Sequence, residues 1–233
     1  MAAKRVAILQ SSYIPWKGYF DLINMADEFV LLDNVQYTRR DWRNRNRIKS
    51  PEGTRWITIP VETKGRYEQR IDETRISDPS WSRSHWDALR QAYRNTPHFE
   101  RYEAELEALY LNGLSDPLLS TVNRRLLEWG KGALGITTPL SSAADYDPPE
   151  GKTDRLLHIS REAGATAYLS GPSARGYLDE QRFRDAGIEV EWMSYEGYPA
   201  YEQIHPPFEH GVTFLDLLFH LGPEAPGHML SFG

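Results

Sequence analysis

The sequence predicts an α/β domain built on a mostly parallel sheet flanked by helices, with a helical middle segment. Three observations carry this expectation. The apolar runs Val6-Ala-Ile-Leu9 and Glu28-Phe-Val-Leu-Leu-Asp33 flank a helix-spaced stretch, the order of a βαβ unit. Residues 81–135 place leucines at helical spacings. From Lys152 onward, helix-like and strand-like stretches alternate again. Together they describe a Rossmann-like arrangement in a single domain spanning residues 1–233, with about 81–135 inserted between two α/β halves.

Each element has its own reason. Val6–Leu9 is a buried strand bounded by the polar Gln10-Ser-Ser. After Pro15 and Gly18, the stretch Tyr19–Ala26 brings Phe20, Leu22 and Ile23 near one helix face. Glu28–Asp33 is the second buried strand, and its crossover should be right-handed. Trp56-Ile-Thr-Ile-Pro-Val61 reads as a third strand, which Pro60 confines to an edge or an end. Asp78-Pro-Ser-Trp81 is a turn able to cap the first middle helix. Leu106, Leu109, Leu118, Leu119, Leu126 and Leu127 then recur helically, with a break near Gly113. Ser141–Gly151, containing Asp147-Pro-Pro, has the chemistry of a loop. Helices are expected over Asp154–Ala163 and Glu180–Ala186, each stopped by the glycine that follows or nearly follows it. Strands are expected over Ala165–Ser170 and Ile188–Met193, and Thr213–His220 is a last amphipathic helix ended by Gly222-Pro223.

Composition bounds the chemistry. A chain of 233 residues with 40% hydrophobic and 26% charged residues is long and apolar enough for a substantial core. The absence of cysteine excludes disulfides, thiolate metal sites and thiol nucleophiles. No run approaches the roughly 18 apolar residues of a membrane span, and the N-terminus shows no signal-peptide pattern. The expected location is therefore the cytoplasm, without membrane insertion. Net charge is −6, against a general nucleic-acid-binding surface. Yet Arg39, Arg40, Arg43, Arg45 and Arg47 cluster with Asp41 as the sole acid among them, which points to a local anion site.

Four segments could carry chemistry. The loop from Gln10 to Phe20 leaves a strand's carboxyl end, where open α/β sheets bind ligands, and offers Gln10, Tyr13, Lys17, Gly18 and Tyr19. The loop from Asp33 to Lys49 does the same, so the two should share one rim and one cleft. It offers Tyr37, Arg40, Trp42, Asn44, Arg45 and Asn46: arginine for bidentate phosphate or carboxylate recognition, tryptophan or tyrosine for stacking, asparagine for neutral polar contacts. Leu169–Asp179 can present backbone N–H groups, with Ser170, Ser173 and Arg175 the candidate contacts, although it matches no phosphate-loop motif. Tyr201–His210 holds His205, His210 and Glu209, whose spacing matches none of the usual zinc motifs, so no metal is assigned. Asp33, delivered by the apolar Phe29-Val-Leu-Leu strand, is the first catalytic candidate, and His205 is the second. For each segment the structural alternative is a packed turn, a solvated charged face or a hydrogen-bonded loop.

At these residues the chain resembles the WbqC-like family of bacterial proteins, encoded among surface-polysaccharide genes. The best-marked parts are Gln10, Tyr13, Pro15 and Gly18-Tyr-Phe, then Asp33-x-Val35, then Trp42-x-Asn-Arg-Asn-x-Ile48. Gly164-Ala165, Tyr168, Tyr177, Phe183, Gly187-Ile188, Phe208 and Leu215-Asp216 follow. Asn34 stands where the family usually carries a second acid, so no catalysis is assigned there. The resemblance implies a role in making or modifying O-antigen-type sugars and names no reaction. A more distant likeness joins Trp16-Lys-Gly-Tyr19 to the H-x-G-H turn of HIGH-superfamily nucleotidylyltransferases, with both histidines replaced, which argues against ordinary adenylyl transfer.

The expected function is transfer from a nucleotide-linked sugar or similar activated anionic molecule, including acyl or aminoacyl transfer to an amine. The alternatives are a non-catalytic nucleotide- or sugar-nucleotide-binding accessory protein and an ATP-using, ligase-like enzyme. The expected partner is a small anionic substrate rather than nucleic acid. The sequence names no cofactor, and homodimer formation is left open.

Overall fold

The computed structural model describes residues 3–232. In chain order, β1 is Arg5–Leu9, α1 Lys17–Asn24, β2 Glu28–Leu31, β3 Arg45–Ser50 and β4 Gly53–Thr58. The helical middle comprises α2 (Trp81–Tyr93), α3 (Phe99–Ala108) and α4 (Leu119–Leu134), with a π turn over Leu109–Gly113. Then come β5 (Leu140–Ser142), α5 (Lys152–Glu162), β6 (Ala167–Ser170), α6 (Glu180–Asp185), β7 (Glu189–Trp192) and α7 (Phe214–Leu221). The main sheet has five parallel strands in the order β5-β2-β1-β6-β7. The expected α/β fold with a Rossmann-like parallel sheet and flanking helices is what the chain adopts.

The period-two alternation of the strands sorts the core into two layers. Ala7, Phe29, Leu31 and Leu169 face one way and pack with α1, α4 and α7. Val6, Ile8, Val30, Leu32 and Tyr168 face the other way, against α5 and α6. From the helical middle, α4 supplies Val122 and Leu126 to the first layer. Gly130 of α4 lets the rings of Phe20 and Phe214 meet at 4.3 Å between centroids, and a β-carbon there would overlap both.

Four local expectations differ from the structure. Arg45–Ser50, expected within a loop, is a strand, paired antiparallel with β4 in a separate two-stranded ribbon. Its inward side chains, Asn46 and Ile48, include a polar one, so the apolar alternation that announces a strand is missing. The strand expected at Trp56–Val61 accordingly belongs to this ribbon and begins earlier, at Gly53; Ile59 N–H still donates to the Asn44 carbonyl before Pro60, which has no N–H. Within the expected loop at 141–151, Leu140–Ser142 pairs with β2 at the sheet edge, too short to show a pattern. Asp78 accepts from the N–H and hydroxyl of Ser80 rather than capping α2 with its side chain.

Candidate functional site

The connection from β1 through α1 runs to β2 on one side of β1, whereas β6, reached through α5, lies on the other side. The carboxyl ends of β1 and β6 therefore frame a topological switch point, where such sheets leave a crevice. A cavity of about 470 Å³ opens there. Leu9, Ser12, Pro15, Trp16 and Tyr19 form one side; Trp42, Arg43, Asn46 and Arg47 form another; Ser173, Tyr195, His210 and Gly211 complete it. The loops after β1 and β2 both contribute, as their position in the βαβ unit led us to expect. A second cavity of about 190 Å³ adjoins it and shares Leu9, Ser173 and Tyr195.

The first loop is held by the second. Arg43 Nη1 donates to the carbonyls of Gln10 at 2.9 Å and Ser11 at 3.0 Å, and the Tyr19 hydroxyl donates to the same Gln10 carbonyl at 2.9 Å. Ser11 N–H donates to Asp33 Oδ1 at 2.8 Å. Asn46 Nδ2 donates to the carbonyls of Tyr13 and Ile14, at 3.1 and 2.9 Å. Ile14 has φ of 34°, a backbone conformation costly for a β-branched residue, and such strain persists where the surroundings over-determine it. The Asn46 amide is one such constraint.

Positive charge is unevenly neutralised. Arg43 spends one nitrogen on the loop and has Asp41 at 3.9 Å. Arg47 has Glu209 at 3.8 Å, while its buried Nε has no hydrogen-bond partner among the described residues. Its guanidinium centre stands 5.9 Å from the ring centroids of both Trp42 and Trp56, which are themselves 5.1 Å apart. These indoles are 41% and 44% exposed, so the cleft mouth carries an open aromatic surface beside a cation. His210 lies against Phe208 at 4.5 Å between ring centroids. Burial, then the charge of Lys17, lowers its imidazole below the ordinary value, against the opposing pull of Glu209, and so favours the neutral ring.

The structure sorts the sequence-predicted site residues into groups. Tyr19, Trp42, Asn46 and Ser173 line the larger cavity, and Gln10, Ser170 and Ser173 line the smaller. Gly18 lies under the Trp16 indole, where a β-carbon would overlap the ring, so its role is to seat a cavity wall. Tyr37, Arg40, Asn44 and Arg45 line a separate, more open depression on the ribbon's flank. Arg45 covers the Trp56 ring at 4.1 Å. Lys17 is buried outside the larger cavity, its Nζ 4.7 Å from the Tyr198 ring centroid, and burial lowers its pKa to about 8 despite Asp21 and Asp216.

Several candidates sit elsewhere. Tyr13 is a core residue, fully buried, with its hydroxyl 2.8 Å from both His85 Nδ1 and the Tyr110 hydroxyl. Arg175 stacks over Trp192 at 4.9 Å, on neither cavity wall. Neither catalytic candidate reaches a cavity wall: Asp33 is spent on the Ser11 N–H, and His205 stands apart from both linings. Among the wall residues that sequence reasoning did not choose are Ser12, Trp16, Arg43, Arg47, Tyr195 and His210. Arg43 and Arg47 lay in the charge cluster, where nothing local marked them out from Arg45; Tyr195 follows β7 in irregular chain and carries no sequence signal. No group of three or more His, Asp or Glu side chains among the described residues is placed to hold a metal ion. No helix of the described residues is long and apolar enough to cross a membrane.

Comparison with known proteins gives two matches. The family model described as the WbqC-like protein family matches residues 10–228. The uncharacterized protein Rv1507c of Mycobacterium tuberculosis (strain ATCC 25618 / H37Rv) is 49% identical over 226 residues, covering 97% of each chain. No solved structure matches.

Proposed function

This chain belongs to the WbqC-like protein family, and we propose that it is a transferase of bacterial surface-polysaccharide or related small-molecule biosynthesis, acting on a nucleotide-linked sugar or a similar activated anionic substrate. The observation that carries this reading is the cavity at the β1–β6 switch point, where Arg43 and Arg47 stand among Trp16, Trp42 and Tyr195. Guanidinium groups recognise phosphate or carboxylate oxygens bidentately, and aromatic rings bury the flat or apolar faces of the attached groups.

In this reading Arg43 and Arg47 bind the anionic centre, and the indoles of Trp42 and Trp56 border the group that is transferred. His210 takes the role of proton acceptor: it lines the cavity, and its depressed pKa leaves the imidazole neutral near pH 7. An acceptor amine must lose a proton as it attacks an acyl or aminoacyl carbon, and a neutral imidazole can take it. Asp33 acts one step back, by fixing the Gln10–Ser12 loop through Ser11.

The test is calorimetric titration with nucleotide sugars, nucleotides and amino acids, followed by mass spectrometry of mixtures. New masses corresponding to transfer are the expected result. Binding without turnover in every mixture would favour an accessory binding protein, and ATP consumption would favour a ligase.

A further inference from the structure

We infer that the cleft binds a nucleoside diphosphate in two parts, with the nucleoside in the smaller cavity and the phosphates in the larger. This rests on the anion-binding reading given above and adds the identity and direction of the ligand. The two cavities differ in charge. Arg43 and Arg47 line the larger one, whereas no charged side chain among the described residues lines the smaller. They meet at Leu9, Ser173 and Tyr195, so a single ligand can span both. Such a ligand needs a neutral end and an anionic end joined over a short distance.

The smaller cavity specifies the neutral end. It opens at the carboxyl ends of β1 and β6, beside the 3-10 turn Pro172–Gly176. Ile8, Leu9, Leu32, Leu156 and Ala174 give it apolar walls. Tyr177, 47% exposed, and Tyr195 add aromatic rings. Gln10, Ser170 and Ser173 are the polar contributors, and Gln10 gives its backbone carbonyl to Tyr19 and Arg43, so that its carboxamide is not what holds the loop. A nucleobase matches this surface, because it has apolar faces to bury and a donor–acceptor edge for one carboxamide and a hydroxyl. A sugar ring would bring more hydroxyl groups than the side chains of Gln10, Ser170 and Ser173 can pair, and each unpaired one costs binding energy. With the base fixed at this end, the group carried on the second phosphate points past Arg47 towards Trp42 and Trp56.

The experiment is calorimetric titration of pyrophosphate, the common nucleoside diphosphates and the free nucleosides into wild type, Tyr177→Ala, Ala174→Phe and Arg47→Ala. At least one nucleoside diphosphate should bind about tenfold or more tightly than pyrophosphate. Ala174→Phe, which fills the smaller cavity, and Tyr177→Ala, which removes an exposed ring, should each cut that advantage and leave pyrophosphate affinity within about twofold. Arg47→Ala should weaken both ligands. If pyrophosphate binds through Arg47 but no nucleoside diphosphate binds better, or if both smaller-cavity variants keep the full advantage, the inference is overturned while the anion site stands. If neither pyrophosphate nor any nucleotide binds, the anion site itself is overturned and the inference falls with it.

Discussion

Arg43 Nη1 donates to the backbone carbonyl of Gln10 at 2.9 Å, so the loop after β2 grips the loop after β1. The consequence is a cleft assembled by protein–protein bonds before a ligand arrives. Asn46 grips the same loop further along, at Tyr13 and Ile14, and Asn123 Nδ2 reaches both Ser11 Oγ at 3.1 Å and the Arg43 carbonyl at 2.9 Å. Rigid walls lower the ordering cost of binding, and the ribbon places Arg47 on β3 and Trp56 on β4, with Trp42 in the turn that precedes β3.

The arginines of the ribbon should therefore separate by function. Arg47 lines the larger cavity and Arg45 lies on the flank, stacked on Trp56. Arg47→Ala should weaken nucleotide or pyrophosphate binding about 10- to 100-fold, the scale of a lost charge-assisted contact, with Arg45→Ala within about threefold. Calorimetry with parallel melting curves checks this. A larger binding loss for Arg45→Ala would move the anion site to the flank.

The fold was more legible in the sequence than the site, for physical reasons. β1, β2 and β6 are buried on both faces, so their residues had to be apolar and stood out as runs. β3 is equally ordered, yet Asn46 and Lys49 are among its buried side chains, so hydrophobic periodicity passed over it. Charge clustering located the right segment. Arg45 and Arg47 are two residues apart and fall on the same face of β3, both against the Trp56 ring, so position along the strand is what sets Arg47 at the cavity and Arg45 at the flank. Asp33 and Tyr13 mark the opposite case: both residues are well placed in the sequence pattern, and both support the loop from behind. Tyr195 and His210 reach the cleft from irregular chain after β7, where no local pattern encodes the approach.

Gly211 gives an independent handle on Arg47. A β-carbon at Gly211 would overlap Arg47 Nη2, the mobile end of a flexible side chain. Gly211→Ala should therefore displace the guanidinium with little effect on the backbone. Stability should stay within about 0.5 kcal/mol, and binding should fall towards that of Arg47→Ala. The double variant should bind no more weakly than Arg47→Ala alone, because both changes remove one contact. Additive losses would show that Gly211 serves something else.

His85 should make the core acid-sensitive. Burial pushes its imidazole down to about 4, against an opposing contact from Thr58, and its Nδ1 lies 2.8 Å from the Tyr13 hydroxyl. Because the folded-state pKa is below the unfolded one, the neutral ring stabilises the fold above the ordinary value of about 6.5. That contribution is lost as pH falls from there towards 4, by at most about 3 kcal/mol. Urea unfolding from pH 7 to pH 4 should show a shallower loss for His85→Gln than for wild type. Parallel stability curves would remove His85 as the cause.

Asp33→Asn distinguishes a loop anchor from a proton-transfer group. Asp33 is buried, and its Oδ1 accepts from the Ser11 N–H at 2.8 Å, away from the cavity wall. An asparagine keeps a carbonyl oxygen for that bond and loses only the charge. Burial raises the Asp33 pKa, and the Ser11 hydrogen bonds and Arg43 oppose it without cancelling the rise. The sign follows: a carboxyl whose pKa is raised on folding adds stability below its unfolded value, and this is lost as pH rises through the folded value. At pH 7 the buried charge is a cost that asparagine avoids, so the variant should lose little stability there. The comparison should shift in favour of wild type as pH falls through the carboxylate range. Asp33→Ala, in contrast, leaves the Ser11 N–H without its acceptor and should cost about 1–3 kcal/mol while weakening ligand binding through the displaced Gln10–Ser12 loop. Turnover in Asp33→Asn should stay within about tenfold of wild type, because acid–base groups usually contribute 10²-fold or more. A folded, ligand-binding Asp33→Asn protein with a loss of that larger size would return Asp33 to the chemistry and displace His210 as the base.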